Sequence, residues 1–265
     1  MLIDAFTFFN EYDMLEARLE YLDPVVDSFV IVECNHTHAG NPKPLNFQAN
    51  MDRYSKYLHK IQYLPLRINP KEYDFTKPKN TDYSAGQWVL EKQQRNYMSV
   101  GLKNYDPLDF VMISDVDEVP TLESIAKAES QYDGTIPGFG SSMEMFWYNF
   151  KQRETKYWSG STFTNVRNAL QFTPEWFREH RWNLPKVLHG YHMTYFMEPD
   201  LMKHKIENFA HQELNQNEYT NPDKLKERIE KGIEPFARKE VPLVSVDVNT
   251  IDPGVYNVFS KVCKT

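Results

Sequence analysis

The sequence predicts an α/β protein in which a mostly parallel central sheet is flanked by helices. Short apolar segments of the kind that form buried strands recur in the first half, at residues 2–9, 25–34, 61–66 and 109–114. Segments with a helical spacing of apolar residues lie between them, and this order is typical of parallel sheets. The 265 residues, of which 41% are hydrophobic, are enough for one large domain with a substantial core.

The helices of the first half are predicted from their apolar faces and their end signals. Residues 11–22 repeat leucine along one face, and Asn10 is the predicted N-cap. A second helix is predicted over residues 85–104. The polar, proline-containing segments 35–45 and 68–84 are predicted to be loops because proline and glycine interrupt regular structure.

The second half contains the same kinds of signal. We predict a helix over residues 121–131, followed by strands within 139–150, 160–166 and 187–196. Two further helices are predicted over residues 200–215 and 221–234, the latter opened by an Asn-Pro pair that suits the N-cap and first helical position. Residues 240–265 are predicted to be an irregular tail. No linker or internal repeat is visible, so we predict a single domain.

Composition excludes several classes of protein. A net charge of −7 argues against nucleic acid as a partner. No stretch reaches the roughly 18 apolar residues of a membrane-spanning helix, and the first residues lack the basic segment of a secretory signal. The two cysteines, Cys34 and Cys263, are far apart and form no pairing motif. We therefore expect a cytoplasmic protein with no integral membrane segment.

The segment "DFVMISDVDEVP" at residues 109–120 joins an apolar strand directly to three carboxylates, Asp115, Asp117 and Glu118. In open α/β sheets, ligands bind just beyond the carboxyl ends of the strands. Carboxylates crowded at such a place repel one another unless a cation neutralises them, and their oxygens suit hard divalent ions. The pattern favours a metal site that includes Asp115 and Asp117, and the alternative is a solvated acidic turn.

Four blocks of the sequence resemble glycosyltransferase family 17. They are "FNEYDMLEARLEYL" with "VDSFVIVECNHTHAGNPKPL", then "QRN", "ISDVDEVP" and "GYHMTYFMEPDLMKHKIENFAHQELNQNEYT". Together they extend from residue 4 to about residue 238. The resemblance implies a GT-A type nucleotide-sugar-binding fold, a UDP-sugar donor with UDP-N-acetylglucosamine as the first expectation, a glycan or glycoconjugate acceptor, and inversion at the anomeric carbon.

The resemblance also implies a division of the single domain 1–265. Residues 1–120 would form the nucleotide-binding half, 121–240 the acceptor-side half, and 241–265 a C-terminal tail. Mn²⁺ or Mg²⁺ would neutralise the diphosphate, with Asp117 as its ligand and Asp115 on the ribose or on a metal-bound water.

His192 is the third candidate for the metal site, because enzymes of this type often bring a late histidine to the metal or the diphosphate. The alternative is a structural histidine at the end of a strand. The spacing of His189 and His192, and of His36 and His38, also resembles half of a zinc site. Neither pair has the further Cys or His residues that complete one, so zinc is disfavoured.

Polar residues near the ends of the first two strands are candidates for contact with the nucleotide. They are Asn10, Glu11, Glu33 and Asn35, with Lys43 and Arg95 as candidates for the phosphates. Glu33 is suited to accept hydrogen bonds from the uracil or the ribose. The alternative for Arg95 is a salt bridge on a helix face.

An inverting transfer requires a general base for the acceptor hydroxyl. The candidate carboxylates are Glu213, Glu144, Glu207 and Glu118, with Glu213 preferred and Glu118 alternatively holding the acidic loop in place. Glu207 and His211 are predicted to share one helix face. Tyr191, Tyr195 and Phe196 are predicted to offer flat apolar surfaces to a sugar ring.

Two other functional classes compete with this hypothesis. A metal-dependent phosphohydrolase or nucleotidyltransferase also uses carboxylates after a strand, but a phosphate loop or a denser set of metal ligands is expected there and is not visible. A non-enzymatic module that binds a sugar or a nucleotide would not need the carboxylate cluster. Dependence of UDP-sugar binding on a divalent ion distinguishes the three.

Overall fold

The structure is a computed structural model that describes residues 1–76 and 83–262. Part of the predicted loop 68–84 and Cys263 lie outside the described residues. Cys34 is buried with a free thiol. In the described ranges, no helix is both long enough and apolar enough to cross a lipid bilayer.

The strands of the described chain form two sheets. Their bounds are β1 Leu2–Thr7, β2 Ser28–Cys34, β3 Ile61–Leu66, β4 Phe110–Asp115, β5 Glu118–Pro120, β6 Gly140–Trp147, β7 Gln152–Trp158, β8 Thr162–Asn165, β9 Lys186–Thr194 and β10 Leu243–Ser245. The first sheet has the order β3-β2-β1-β4-β8 and the second has the order β10-β7-β6-β9-β5. Each sheet therefore contains strands from both halves of the chain.

The first sheet confirms the predicted mostly parallel arrangement. Strands β3, β2, β1 and β4 are parallel neighbours, and only β8 joins them antiparallel. Nearly every residue of β1 and β2 is buried, as expected of strands covered by helices on both faces. The second sheet is mixed, with β6 and β9 parallel and its other neighbours antiparallel.

The α-helices cover both sheets. Their bounds are α1 Tyr12–Leu22, α2 Asn46–Ala49, α3 Gly86–Asn96, α4 Met98–Leu102, α5 Leu122–Gln131, α6 Val166–Phe172, α7 Pro174–His180, α8 Pro199–Asn208, α9 Asn217–Thr220, α10 Pro222–Lys231 and α11 Pro253–Phe259. A 3₁₀ helix, Met51–Lys60, precedes β3. The predicted start of α10 is confirmed, because the Asn221 side chain accepts hydrogen bonds from the backbone N–H groups of Asp223 and Lys224.

Several predicted helix boundaries are wrong. Glu11 is the N-cap of α1, and Asn10 makes no capping hydrogen bond. Two shorter helices, α3 and α4, replace the single helix predicted over 85–104. Helix α8 ends at Asn208, so His211 lies beyond it and does not share a helix face with Glu207.

Several elements were not predicted. They include β5 in the segment after the acidic motif, β7 in the charged segment "QRETKYW", the short helices α6, α7 and α9, and the short strand β10. The predicted irregular tail is also wrong, because it contains α11. Val255 and Phe259 of that helix are fully buried, and α11 packs against α1. Apolar burial therefore fixes part of the tail to the first sheet's helical layer.

Candidate active site

A cavity of about 610 Å³ opens at the carboxyl ends of β1 and β4. Residues that follow these strands form one wall, including Phe9, Glu11, Asp115 and Asp117. The rest of the lining comes from β6, β7, β9 and residues 205–214. This is the position at which open α/β sheets bind their ligands. The acidic segment crosses between the two sheets, since β4 belongs to the first and β5 to the second.

The buried side chain of Arg18 holds the acidic segment in place. Its guanidinium pairs with Asp4 at 2.7 Å and donates to the Ser114 hydroxyl at 2.6 Å. It also donates to the backbone carbonyls of Val116 and Glu118, at 3.2 Å and 2.7 Å. Both Arg18 and Asp4 are fully buried. A guanidinium with five fixed donors can satisfy a carboxylate and several carbonyls at once, which fixes the course of the backbone around Asp115 and Asp117.

Arg18→Met is expected to lower the free energy of unfolding by about 3–5 kcal/mol, because it leaves the buried Asp4 carboxylate without its cation. Arg53→Met is the control. Arg53 pairs with Asp13 and Glu16 at the surface, where its side chain is 35% exposed, so a cost below about 1 kcal/mol is expected. Denaturant unfolding of both variants measures the difference. Equal costs would show that Arg18 does not stabilise the segment.

Glu118 is a structural residue of this segment. It is fully buried, and one of its carboxylate oxygens accepts the backbone N–H of Asp115 at 3.0 Å. The other oxygen accepts hydrogen bonds from Trp158 at 2.7 Å and Arg178 at 2.8 Å. It does not line the cavity. Glu118 was predicted either to hold the acidic loop or to act as the general base. Its buried position supports the first role, because an acceptor hydroxyl cannot reach its carboxylate.

Asp115 lines the cavity between two guanidinium groups. Arg178 lies 2.9 Å from its Oδ2, and Arg95 lies 3.4 Å from its Oδ1. Burial raises the pKa of the Asp115 carboxyl, but Arg178 and Arg95 outweigh it and lower that pKa to about 2. Asp115 is therefore ionised at neutral pH, and both of its oxygens already face protein cations.

Asp117 lies on the same wall but has different partners. Its Oδ1 is 3.5 Å from His192 Nε2, and its Oδ2 is 3.4 Å from Lys205 Nζ. Burial opposes ionisation, but Lys205 and His192 hold the pKa of Asp117 well below its usual range. Burial lowers the pKa of His192, whereas Asp117 raises it, and the net shift is upward. These contacts are longer than ordinary charge-assisted hydrogen bonds, which leaves the Asp117 oxygens open to a stronger ligand.

The residues around Asp117 fit a divalent ion that is completed by the substrate. Asp117 and His192 face each other across the pairing of β5 with β9, in which Glu118 lies opposite His192. Within residues 1–76 and 83–262, no group of three His, Cys, Asp or Glu side chains is arranged to hold a metal by itself. Ions such as Mg²⁺ often take one or two protein ligands and fill the remaining positions with phosphate and water oxygens. The two guanidinium groups on Asp115 make it a poorer ligand than Asp117.

The histidine pairs show no zinc arrangement. His189 is exposed, whereas His192 is buried at the cavity. His36 contacts the Asn35 side chain at 3.0 Å, and His38 contacts the Gln94 side chain at 2.9 Å. Each histidine of the second pair therefore has its own hydrogen-bond partner in the protein.

The candidates for nucleotide contact fall into two groups. Glu11, Lys43 and Arg95 line the cavity. Asn10, Glu33 and Asn35 do not. Arg95 is almost fully buried and pairs at 2.6 Å with Glu175 and at 3.1 Å with Glu91, in addition to Asp115. The alternative, a salt bridge on a helix face, is therefore present as the pair with Glu91 one turn away on α3, and contact of Arg95 with a phosphate stays a prediction.

The position of Glu33 contradicts its interpretation as a contact of the uracil or the ribose. Glu33 is fully buried and accepts hydrogen bonds from the Tyr63 hydroxyl, from Lys43 and from the backbone N–H of Phe47. Both oxygens are thus used to order the segment after β2. Asn35 has a similar role, because its side-chain oxygen accepts the backbone N–H of Ile68 at 3.0 Å.

Among the candidate bases, Glu213 lies on the cavity. Its Oε1 accepts a hydrogen bond from His211 Nδ1 at 2.8 Å, and its buried Oε2 has no hydrogen-bond partner within the part of the chain that the structure describes. Glu144 and Glu207 lie outside the cavity, where they pair with Arg153 at 3.1 Å and Lys203 at 3.8 Å. Their side chains are 34% and 38% exposed.

Aromatic side chains line part of the cavity, but they are not all the predicted ones. Tyr195 lines the cavity and stacks on Trp147 at 6.0 Å between ring centroids. Tyr191 does not line it and packs in the core, where its hydroxyl accepts the backbone N–H of Asp252. Phe196 is also a core residue. Trp147, Trp158, Phe209 and Phe236 take their place on the cavity wall.

Residues 1–238 match the sequence model described as glycosyltransferase family 17. This chain belongs to glycosyltransferase family 17. The predicted family membership is therefore confirmed, and the matched range includes every cavity residue named above.

Curated relatives are similar in sequence to this family 17 chain over part of their length. It is 26% identical over 235 residues to the β-1,4-mannosyl-glycoprotein 4-β-N-acetylglucosaminyltransferase of Rattus norvegicus, and the match covers 77% of this chain and 42% of the relative. The Homo sapiens protein of the same name matches with the same identity and coverage. The chain thus spans less than half the length of these curated relatives.

Solved structures resemble this family 17 chain only weakly. A mannose-6-phosphate isomerase from Helicobacter pylori aligns with a TM-score of 0.36 and 10% identity, covering 69% of this chain and 77% of that chain. The glucosyl-3-phosphoglycerate synthase from Mycobacterium tuberculosis, in complex with Mn²⁺, UDP and phosphoglyceric acid, aligns with a TM-score of 0.34 and 8% identity, covering 73% and 69%. Scores this low establish neither a shared fold nor a shared activity.

Sequence reasoning missed two cations of the family 17 site, Arg178 and Lys205. Arg178 bridges Asp115 and Glu118, and Lys205 bridges Asp117 and Glu11. Arg178 lies in the unpredicted helix α7, within a charged segment typical of a solvated surface. Lys205 lies within the last block of the resemblance, where its neighbours Lys203 and His204 gave no reason to single it out.

Proposed function

We propose that this protein is a metal-dependent, inverting glycosyltransferase that moves N-acetylglucosamine from UDP-N-acetylglucosamine to a glycan hydroxyl. One observation supports the proposal above the others. In a chain of family 17, the segment Asp115-Val116-Asp117 opens into a 610 Å³ cavity at the carboxyl ends of two parallel strands. The proposal extends to this chain the sugar that the name of its curated relatives specifies.

The donor diphosphate is assigned to the wall formed by Asp117 and His192. Mn²⁺ or Mg²⁺ bound there would stabilise the charge that develops on the departing UDP. Protein residues contribute the rest of the environment. Arg178 and Arg95 keep Asp115 ionised and oriented, so its carboxylate is available to the ribose or to a bound water. This arrangement supports residues 1–120 as the nucleotide-binding half of a GT-A type domain.

The acceptor is assigned to the wall that carries Glu213, Trp147 and Tyr195. Glu213 lines the cavity, and its Oε2 has no hydrogen-bond partner among the described residues, so we assign it as the group that accepts the proton of an acceptor hydroxyl. His211 holds the other oxygen and fixes the orientation of the carboxylate. The rings of Trp147 and Tyr195 offer the flat apolar surface against which a pyranose ring packs.

Donor binding is expected to require the divalent ion. UDP-N-acetylglucosamine with Mn²⁺ should raise the melting temperature by several degrees, and chelation with EDTA should remove most of that rise, because ligand binding stabilises the folded state by mass action. GDP-mannose and CMP-sialic acid serve as control donors and should cause little change. A thermal-shift panel measures all of these. An equal rise in EDTA would contradict the metal requirement, and an equal rise with every nucleotide sugar would contradict the donor assignment.

A further inference from the structure

Lys205 is a half-buried cation in contact with both sides of the proposed donor site. It extends from α8, and its Nζ lies 3.0 Å from Glu11 Oε1 and 3.4 Å from Asp117 Oδ2. Tyr195 closes another side, with its ring centroid 5.6 Å from Nζ. The ammonium therefore joins the segment after β1 to the segment after β4 within the cavity.

The protein itself neutralises the two aspartates of the acidic motif. Arg95 and Arg178 face Asp115, and Lys205 faces Asp117. A free divalent ion at Asp117 would share this carboxylate with the ammonium of Lys205, whose Nζ lies 3.4 Å from Oδ2. Two cations on one carboxylate repel each other, and the repulsion is stronger in a partly buried site than in water. The ammonium therefore weakens binding of the ion to Asp117.

A nucleoside diphosphate changes this balance because it brings phosphate oxygens to both cations. The ion can then share Asp117 with the diphosphate, while the ammonium keeps Glu11 and gains the phosphate as an alternative acceptor. The ion and the Lys205 ammonium compete for the Asp117 carboxylate when no diphosphate is bound. Both can bind at the site once the diphosphate supplies further oxygens.

We propose that Lys205 is a competing cation at Asp117, and that it makes tight binding of Mn²⁺ depend on a bound nucleoside diphosphate. This inference rests on the proposed function, because it takes Asp117 as the ligand of the ion. It assigns Lys205 as a positioning residue that couples the two ligands. By linkage, Mn²⁺ must then increase the affinity for UDP by the same factor by which UDP increases the affinity for Mn²⁺.

Calorimetric titration of Mn²⁺ into the full chain, with and without saturating UDP, tests the proposal. Lys205→Met should bind Mn²⁺ about tenfold more tightly than the wild type in the absence of UDP, and the gain in Mn²⁺ affinity on adding UDP should shrink by about the same factor, within the 5–150-fold range of typical couplings. Lys203→Met is the matched control. Lys203 lies on the same helix but is 43% exposed and pairs with Glu207, so its isotherms should match those of the wild type.

Lys205→Gln is the second variant, for the case in which Lys205→Met does not fold. Its amide carries no charge but can still donate a hydrogen bond to Glu11. The proposal would be overturned if, without UDP, both variants bind Mn²⁺ no more tightly than the wild type does. Asp117→Asn separates this outcome from failure of the proposed function. If Asp117→Asn loses Mn²⁺ binding while the Lys205 variants bind like the wild type, only the role of Lys205 is wrong. If Asp117→Asn binds Mn²⁺ like the wild type, or if the wild type binds none with UDP, the metal assignment and this inference both fail.

Discussion

Asp117→Asn is expected to reduce sugar transfer by about three orders of magnitude or more while the fold remains intact. The substitution keeps the shape of the side chain but removes the charge that would bind the divalent ion, and such an ion contributes several kcal/mol of charge stabilisation in the transition state. Within the described ranges, the Asp117 side chain forms long polar contacts, at 3.5 Å to His192 and 3.4 Å to Lys205, so little packing is lost. Initial rates of UDP release at saturating Mn²⁺ measure the effect.

Asp13→Asn is the control for this substitution. Asp13 belongs to α1, its side chain is 47% exposed, and its partner Arg53 lies at the surface. Its rate should stay within about twofold of the wild type, since surface pairs contribute little. Melting curves in EDTA complete the test. A large drop in the melting temperature of metal-free Asp117→Asn would show that Asp117 is structural, and its assignment as a ligand would lose its support.

Glu213→Gln is expected to reduce transfer to the acceptor by about two to four orders of magnitude, the usual contribution of a positioned base. Binding of UDP-sugar and metal should be retained, because glutamine changes little volume and Glu213 is assigned to the acceptor wall. The hydrogen bond from His211 can still be accepted by the amide oxygen. Transfer rates combined with calorimetry of UDP separate the loss of proton acceptance from the loss of donor binding.

Glu207→Gln and Glu144→Gln are matched controls for the base. Both carboxylates form exposed ion pairs away from the cavity, so near-normal rates are expected. Near-normal turnover in Glu213→Gln would rule out its assignment as the base. A large loss in Glu144→Gln or Glu207→Gln would instead show that one of these carboxylates reaches the acceptor.

The strands of the first sheet were predictable because burial on both faces requires continuous apolar sequence. Strands β1, β2 and β3 lie within the predicted segments, and β4 extends one residue beyond its segment. Strand β7 was not predictable in this way, because its residues are mostly exposed or half-buried and four of its seven are charged or amide side chains. Helix α11 was missed because only two of its residues, Val255 and Phe259, are buried, and this pattern is too short to show a helical period.

The position of the acidic motif was predictable, but the partners of its carboxylates were not. The end of an apolar strand predicts where Asp115 and Asp117 lie. Whether a polar residue there faces the cavity or the protein depends on side chains far away in sequence. Glu33 is turned inward by Tyr63 and Phe47. Arg178 and Lys205 reach the site from helices whose charged sequences resemble solvated surfaces, so their roles emerge only from the tertiary structure.

The central claim is tested most directly by proton NMR of the reaction. The mixture contains UDP-N-acetylglucosamine and Mn²⁺, with either a panel of simple glycan acceptors or water as the acceptor. The account predicts that UDP is released and that the first transferred or hydrolysed product has the β configuration, with both signals lost in EDTA and in Asp117→Asn. A product that first appears with the α configuration would contradict inversion. No release of UDP, or equal release by wild type and Asp117→Asn, would contradict a metal-dependent transferase site at this cavity.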